Sequence, residues 1–153
     1  MKAFLINLPE AVERRDHAVD ELEKAGLSYQ IIEGIRGSDL EFPNAFYDET
    51  AYGLRQGRKR IPAEVGCYLS HLKAIKTFLQ TGDSYGLILE DDVILSSHLK
   101  EIIQKSFQVA QFDLLRLSTV NSGRWTKTIP LLDPYHLGVA LSREKGAGAY
   151  VVN

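Results

Sequence analysis

An aliphatic run that ends in three consecutive acids, "LILEDDV" at 87–93, constrains this chain more than any other feature. Such a run predicts a buried strand, and Glu90, Asp91 and Asp92 then stand at its carboxyl end. Carboxylates this close repel one another, and each raises the pKa of the others unless a cation or hydrogen-bond donors compensate the charge. The fold must supply that compensation where the strand stops.

The order of the other predicted elements indicates an α/β fold. Residues 2–8 and 27–35 predict strands on either side of an amphipathic helix over 10–26. A β–α–β opening is typical of a parallel sheet with covering helices, and such sheets bind ligands at the carboxyl ends of their strands. Further elements are strands over 85–93, 112–118 and 146–153, a helix over 96–110, and an irregular or hairpin-like region over 119–138.

A long helix is predicted to begin at Pro62 and to run to about Gln80. Glu64 and His71 lie within about 20° of each other on one flank of its apolar stripe, and Ser70 falls on the opposite face. The stripe consists of Val65, Leu69, Leu72, Ile75 and Leu79.

Residues 36–60 show weak periodicity and several turn residues, so they predict a long, partly ordered excursion of the kind that often serves as a lid. Its basic cluster is either a solvated loop or a surface that attracts an anionic acceptor. The cluster comprises Arg55, Arg58, Lys59 and Arg60.

Composition excludes several classes of protein. A net charge of -2 over 153 residues argues against a nucleic-acid binder, and the single cysteine, Cys67, excludes an intrachain disulfide and a Cys-rich zinc site. Cys67 itself is expected to be a small buried hydrophobe. The opening apolar run is too short for a signal peptide, and no stretch approaches the roughly 20 apolar residues of a spanning helix. A cytoplasmic protein is expected.

Several chemistries place acids after an apolar strand. A Walker B strand requires a GxxxxGK[ST] loop that this sequence lacks, and a receiver domain carries its acids after the first strand, which here ends in Asn7-Leu8-Pro9. A D-x-D-type site, with Glu90-x-Asp92 holding a divalent ion against a diphosphate, fits the spacing. The alternative is that the acids cap a turn and face water.

The segments "INLPEAVERR", "AEVGCYLSHLKAI" and "YGLILEDDV", in this order and at these separations, resemble the family 25 glycosyltransferases. These include bacterial lipopolysaccharide and lipooligosaccharide galactosyltransferases and collagen-modifying relatives. The similarity continues through "FDLLRLS" and "GAGAYVV". It implies a GT-A-like, Rossmann-like fold with a mostly parallel sheet flanked by helices, a UDP-sugar donor, Mn²⁺ or Mg²⁺, and inversion at the anomeric carbon.

The resemblance also implies roles by position. Asp92 is implied as the metal ligand, with Glu90 beside it, while Asp91 lies near the metal waters or the donor ribose. The other implied donor-binding residues are Asn7, Leu8, Arg14, Arg15, Glu64, Ser70 and His71. Simpler roles stay open: a turn contact for Asn7, pairing of the two arginines with exposed acids, and a packed core position for His71.

Family members commonly continue well beyond the point where this chain stops. Residues 1–153 are therefore expected to be a single N-terminal nucleotide-sugar-binding domain, incomplete at its C-terminus. Its last strand is expected to be uncovered at an exposed sheet edge, where two copies of the chain could pair as a homodimer. The implied acceptor is a glycan or lipid-linked saccharide, with peripheral association at the inner face of the membrane. No general base is assigned among the acids after Asp92, which are Glu101, Asp113, Asp133 and Glu144.

Two rival hypotheses remain at this point. In the first, the chain is a non-catalytic remnant that binds a nucleotide or a metal without transferring a sugar. In the second, it is a metal phosphohydrolase, which would need more Asp or His ligands near strand ends than the sequence offers.

Overall fold

A computed structural model of the chain describes residues 1–121, 123–142 and 145–153. Its helices are α1 (Val12–Lys24), α2 (Glu49–Gln56), α3 (Pro62–Leu79) and α4 (Leu99–Val109), with a 3-10 turn at Gly37–Asp39. Its strands are β1 (Lys2–Asn7), β2 (Tyr29–Glu33), β3 (Gly86–Glu90), β4 (Leu114–Arg116), β5 (Trp125–Leu132), β6 (Tyr135–Ala140) and β7 (Ala149–Val152). Every strand and helix predicted above is present, and each lies inside its predicted range.

Five strands form one sheet in the order β2-β1-β3-β7-β4. Strand β1 pairs in parallel with β2 and β3, whereas β7 runs antiparallel to both β3 and β4. The sheet is thus mostly parallel, as predicted. The expectation that the last strand lies uncovered at an edge is wrong, because β7 is hydrogen-bonded on both sides and the edges are β2 and β4.

Two cores lie on opposite faces of the sheet because side chains alternate along each strand. The odd-numbered apolar residues of β1 and β3 pack with α1 and α4, for example with Leu22 and Ile103. The even-numbered ones, such as Phe4, pack with Ala74 and Phe78 of α3. This parity decides the side of the sheet on which a side chain near a strand end is found.

Helix α3 is rotated relative to the prediction. Val65 and Leu69 are buried as expected, but Leu72 and Leu79 are 37% and 67% exposed. Ser70, expected on the opposite face, is buried. The buried face carries residues four apart, namely Gly66, Ser70, Ala74 and Phe78. Small residues at the start of this series let α3 approach the backbone of the Gly37 turn closely.

The excursion over 36–60 contains a helix that the sequence analysis did not predict, α2. Its N-cap is Asp48, whose Oδ1 accepts a hydrogen bond from the Ala51 backbone N–H at 2.9 Å. Two members of the basic cluster are paired: Arg58 with Glu64 at 2.7 Å, and Arg60 with an acid at the start of α2. These pairs favour a structural role over an anion-binding surface for half of the cluster.

The region over 119–138 includes most of a β-hairpin, in which β5 and β6 pair antiparallel as a separate two-stranded sheet. This agrees with the hairpin alternative. Among the described residues, no helix is both long and apolar enough to cross a membrane.

Candidate functional site

The strand alternation of β3 divides the three acids between two faces of the sheet. Asp91 continues the odd-numbered series toward α1 and is 7% exposed, whereas Glu90 continues the even-numbered series toward α3 and is partly exposed. Asp92 follows in the turn and is exposed. Adjacent carboxylates therefore have different surroundings, and in the described residues only Asp91 and Glu90 have side-chain partners.

Asp91 is neutralised inside the protein by residues of β1 and α1. Its Oδ2 accepts a hydrogen bond of 2.6 Å from Asn7 Nδ2, and its Oδ1 lies 3.1 Å from Arg14 NH1. Asn7 Nδ2 also donates to the Ala11 carbonyl at 3.0 Å. Asn7 thus makes the predicted turn contact and also fixes Asp91, and Arg14 supplies the balancing charge.

Glu90 belongs to a hydrogen-bonded chain on the other face. His71 Nε2 lies 3.2 Å from Glu90 Oε1, and His71 Nδ1 lies 2.9 Å from the Tyr150 hydroxyl. An ionised carboxylate only accepts hydrogen bonds, so the tautomer of His71 with its proton on Nε2 donates to Glu90, and in that tautomer the Tyr150 hydroxyl donates to Nδ1. Burial, followed by the charge of Glu90, raises the pKa of Tyr150 and keeps the phenol protonated. His71 orients Glu90.

Asp92 differs from its two neighbours. Within residues 1–121, 123–142 and 145–153 it forms no hydrogen bond and no ion pair, and it is exposed at the carboxyl end of a central parallel strand. A free carboxylate at this end of the sheet suits an oxygen-binding divalent ion, since Mn²⁺ and Mg²⁺ take carboxylate ligands.

Cys67 is not the buried residue that the sequence analysis expected, because it is exposed on α3. Its Sγ lies in a cluster with His71 and Glu90 in which the potential ligand atoms are all within 4.8 Å of one another. Desolvation by the surrounding protein, with the charges of Glu90 and Asp92, raises the pKa of the thiol to about 11.

Two of the predicted donor-binding residues, Ser70 and Arg15, have partners within the protein. Ser70 Oγ accepts a hydrogen bond of 2.7 Å from the Ile35 N–H and donates one of 2.7 Å to the Gly66 carbonyl, so it joins α3 to the loop after β2. Arg15 pairs with its neighbour Asp16 at 2.9 Å. Neither contact brings these side chains to the acids.

Glu64 attaches the excursion to α3. Its carboxylate accepts hydrogen bonds from the Tyr52 hydroxyl at 2.6 Å and from Arg58 at 2.7 Å. These bonds lower the pKa of Glu64, and Tyr52 makes the largest contribution. Since the folded-state pKa is depressed, the stabilisation is present above the unfolded pKa and is lost as the pH falls through the folded value.

Replacing Tyr52 with phenylalanine is expected to raise the pKa of Glu64 toward its ordinary value, because the largest of its stabilising hydrogen bonds disappears. A carbon-detected NMR titration of the glutamate carboxyls measures this shift. Tyr29→Phe is the matched control, since the Tyr29 hydroxyl bonds Glu23 instead. An unchanged Glu64 titration in Tyr52→Phe would show that Arg58 alone depresses the pKa.

Leu8 lines a groove of about 350 Å³ beside the carboxyl ends of β1 and β2. The groove floor includes Gly34, and its rim carries Glu10, Arg36 and Lys73. Arg36 pairs with Glu10, and Lys73 Nζ donates to the Glu33 carbonyl at 2.8 Å. The volume is at the lower end of the range for small-molecule sites.

Two contacts of the predicted site residues were missed from the sequence. In the sequence, Tyr150 is only one residue of a predicted apolar strand. The residues around it do not indicate that β7 pairs with β3 and brings the Tyr150 hydroxyl to His71. Tyr52 lies in a segment without clear periodicity, so the sequence did not predict its hydrogen bond to Glu64 either.

The described acids after Asp92 offer no general base. Glu101 pairs with Lys105 on the exposed side of α4 at 3.1 Å, Asp113 is an exposed residue before β4, and Asp133 lies exposed in the hairpin turn. Glu144 lies outside the described residues.

Comparison with known proteins finds a family-level match. The sequence model of "Glycosyltransferase family 25 (LPS biosynthesis protein)" matches residues 1–135. The lacto-N-neotetraose biosynthesis glycosyltransferase LgtE of Neisseria meningitidis serogroup B is 26% identical over 163 aligned residues, covering 94% of this chain and 58% of the relative. LgtB of the same organism is 27% identical over 157 residues, covering 92% and 56%.

A vertebrate relative shows the same similarity over a shorter part of its length. Procollagen galactosyltransferase 1 of Danio rerio is 27% identical over 132 residues, covering 80% of this chain and 21% of the relative. The chain spans a little over half the length of its Neisseria relatives.

Proposed function

Because this chain belongs to glycosyltransferase family 25, we propose that it is the donor-binding part of a metal-dependent, inverting glycosyltransferase. The proposed donor is a UDP-hexose, and galactose is favoured because the procollagen relative is named for it. The proposed acceptor is a lipopolysaccharide- or lipooligosaccharide-type glycan, in keeping with the family description. Such an acceptor would place the protein in the cytoplasm, at the inner face of the membrane.

The observation that carries this proposal is the difference between Asp92 and Asp91. Asp91 is satisfied by Asn7 and Arg14, whereas Asp92 is exposed and, in the described part of the chain, unpaired. An acid that only capped a turn would be expected to bind a backbone N–H. Asp92 with Glu90 offers the oxygen ligands that Mn²⁺ or Mg²⁺ prefers.

A divalent ion held by these carboxylates would supply Lewis-acid stabilisation of the leaving diphosphate. The protein's own part is to keep the ligands in place: His71 orients Glu90, and the Asn7–Asp91–Arg14 network anchors the backbone between Glu90 and Asp92. The Arg14 side chain is still 51% exposed. It is therefore proposed to face the donor phosphates, a role that the pairing of Arg15 with Asp16 makes less suitable for Arg15.

The groove at Leu8 is the proposed site for the uridine. It lies at the carboxyl ends of β1 and β2, next to the strand that ends in the acids. Ligands of open α/β sheets bind at this edge. Leu8 and Gly34 present an apolar surface to a base, and the Lys73 ammonium and the Asp39 carboxylate provide polar partners around it.

Calorimetric titration of UDP tests the donor site directly. Binding is expected with Mn²⁺ and is expected to be lost with excess EDTA, because Asp92 and Glu90 would hold the ion and the ion would supply charge stabilisation for the diphosphate. Asp92→Asn should weaken the Mn²⁺-dependent binding by about tenfold or more, since an amide is a poorer ligand than a carboxylate.

The matched control is Asp83→Asn, an exposed acid before the amino end of the same strand, which should bind UDP as the wild type does. Equal binding in Mn²⁺ and EDTA, or full affinity in Asp92→Asn, would contradict the metal-assisted donor site. Absence of UDP binding by folded protein would favour the non-catalytic remnant.

A further inference from the structure

We propose that Cys67, His71 and Glu90 form a binding site for a thiophilic divalent metal ion such as Zn²⁺, with a ligand set that includes Glu90 but not Asp92. Their potential ligand atoms, one each from a thiol, an imidazole and a carboxylate, all lie within 4.8 Å of one another. The proposal does not rest on the proposed function, because neither a nucleotide nor a sugar takes part in it.

The site combines one helix with one strand end. Cys67 and His71 are four residues apart on α3, so their side chains emerge on the same side of the helix, one turn apart. Glu90 approaches from the last position of β3. This is a three-ligand set, which leaves a coordination position open in a tetrahedral zinc site.

The observed distances require little movement to bind an ion. His71 Nε2 and Glu90 Oε1 are 3.2 Å apart. Two ligand atoms at tetrahedral zinc, each about 2.0–2.2 Å from the ion, are separated by roughly 3.4 Å. Cys67 Sγ lies within 4.8 Å of the other two potential ligand atoms, and its side chain is exposed.

A partner that would orient the histidine ligand is already present. Metal-binding histidines usually use their second ring nitrogen in a hydrogen bond that fixes the ring. Tyr150, buried on β7, lies 2.9 Å from His71 Nδ1. With Nε2 as the ligand, the single ring proton would move from Nε2 to Nδ1 by exchange with solvent, so that Nδ1–H donates to the Tyr150 oxygen, and the Cys67 thiol would release its proton to solvent to become a thiolate ligand.

The donor set distinguishes this site from the one proposed at Asp92. A thiolate and an imidazole favour Zn²⁺ or Co²⁺, whereas Mn²⁺ and Mg²⁺ favour sites made of oxygen alone. The two sites share the Glu90 carboxylate. A thiophilic ion bound by Cys67 and His71 would therefore compete for Glu90 with an ion bound at Asp92.

Titration with Co²⁺ in the absence of nucleotide tests the proposal. We expect the absorption band of a cobalt thiolate to appear, to saturate at one ion per chain, and to disappear when Zn²⁺ is added. Because Cys67 is the only cysteine in the chain, any such band belongs to it. Cys67→Ser, at an exposed position, should fold and show no band.

Participation of the other two ligands is tested by His71→Asn and Glu90→Gln, each of which should weaken Co²⁺ binding by about tenfold or more in samples that circular dichroism shows to be folded. Asp83→Asn, an exposed acid before β3, is the matched control and should keep the band at wild-type affinity. The proposal is overturned if the wild type shows no thiolate band, if binding is unchanged in folded Glu90→Gln, or if Asp83→Asn abolishes the band. None of these results depends on whether UDP binds.

Discussion

Replacing Gly66 with alanine is expected to lower the free energy of unfolding by about 2–3 kcal/mol. A Cβ at this position would lie 2.4 Å from the Ile35 carbonyl oxygen and 2.7 Å from the Gly37 nitrogen. Both are backbone atoms, so neither can turn aside as a flexible side chain would. Helix α3 would have to move away from the loop, which outweighs the gain of about 1 kcal/mol that alanine brings to a helix interior.

The same movement would also disturb the site. Ser70 bridges the Ile35 N–H and the Gly66 carbonyl, and His71 follows it directly on the helix. The matched control is Gly53→Ala in α2, where a Cβ meets nothing within 4 Å. That variant should be more stable than the wild type by about 0.5–1 kcal/mol. Urea unfolding of both variants provides the measurement, and a loss below about 0.5 kcal/mol for Gly66→Ala would show that the loop yields easily.

The second large effect is expected from Asp91, whose replacement with alanine should lower the free energy of unfolding by about 2 kcal/mol. The change leaves an Asn7 amide hydrogen buried without its acceptor and removes the partner of Arg14. Breaking a fully buried ion pair costs more, about 3–5 kcal/mol. The lower figure applies here because Arg14 is 51% exposed and can be solvated.

Asp92→Ala, one residue further along, is the control. Asp92 is exposed and unpaired in the described residues, so this variant should unfold within about 0.5 kcal/mol of the wild type. Comparable losses for the two variants would mean that the adjacent acids do not have different roles. If only Asp91→Ala is destabilised and only Asp92→Asn loses metal-dependent UDP binding, the two acids serve stability and ligand binding separately.

The local signals in the sequence were sufficient for most of the elements, although not for α2. Pro62 predicted the first turn of α3, and this helix indeed begins there without a side-chain cap. The β–α–β opening predicted parallel pairing of β1 with β2. These features depend on backbone torsions and side-chain periodicity among residues that are near one another along the chain. They can therefore be predicted from a single sequence.

The rotation of α3 was not predictable in the same way. Its sequence has apolar residues on more than one face, and the predicted stripe ignored Gly66 and Ser70. The structure buries them because the helix packs against the backbone at Gly37, a contact between residues that are far apart in sequence. Helical periodicity does not encode such a contact, and Ser70 was therefore assigned to the wrong face.

The sequence by itself determined that three acids stand at the end of a buried strand, and that their charge must be compensated there. Only the tertiary structure decided how. Strand alternation turns Asp91 toward Arg14 on α1 and Glu90 toward His71 on α3, and leaves Asp92 exposed. The partners come from β1, α1, α3 and β7, and their positions depend on the order and direction of the strands. The partners of each carboxylate are set by packing between segments that are distant in sequence. The residues next to the acids carry no information about that packing.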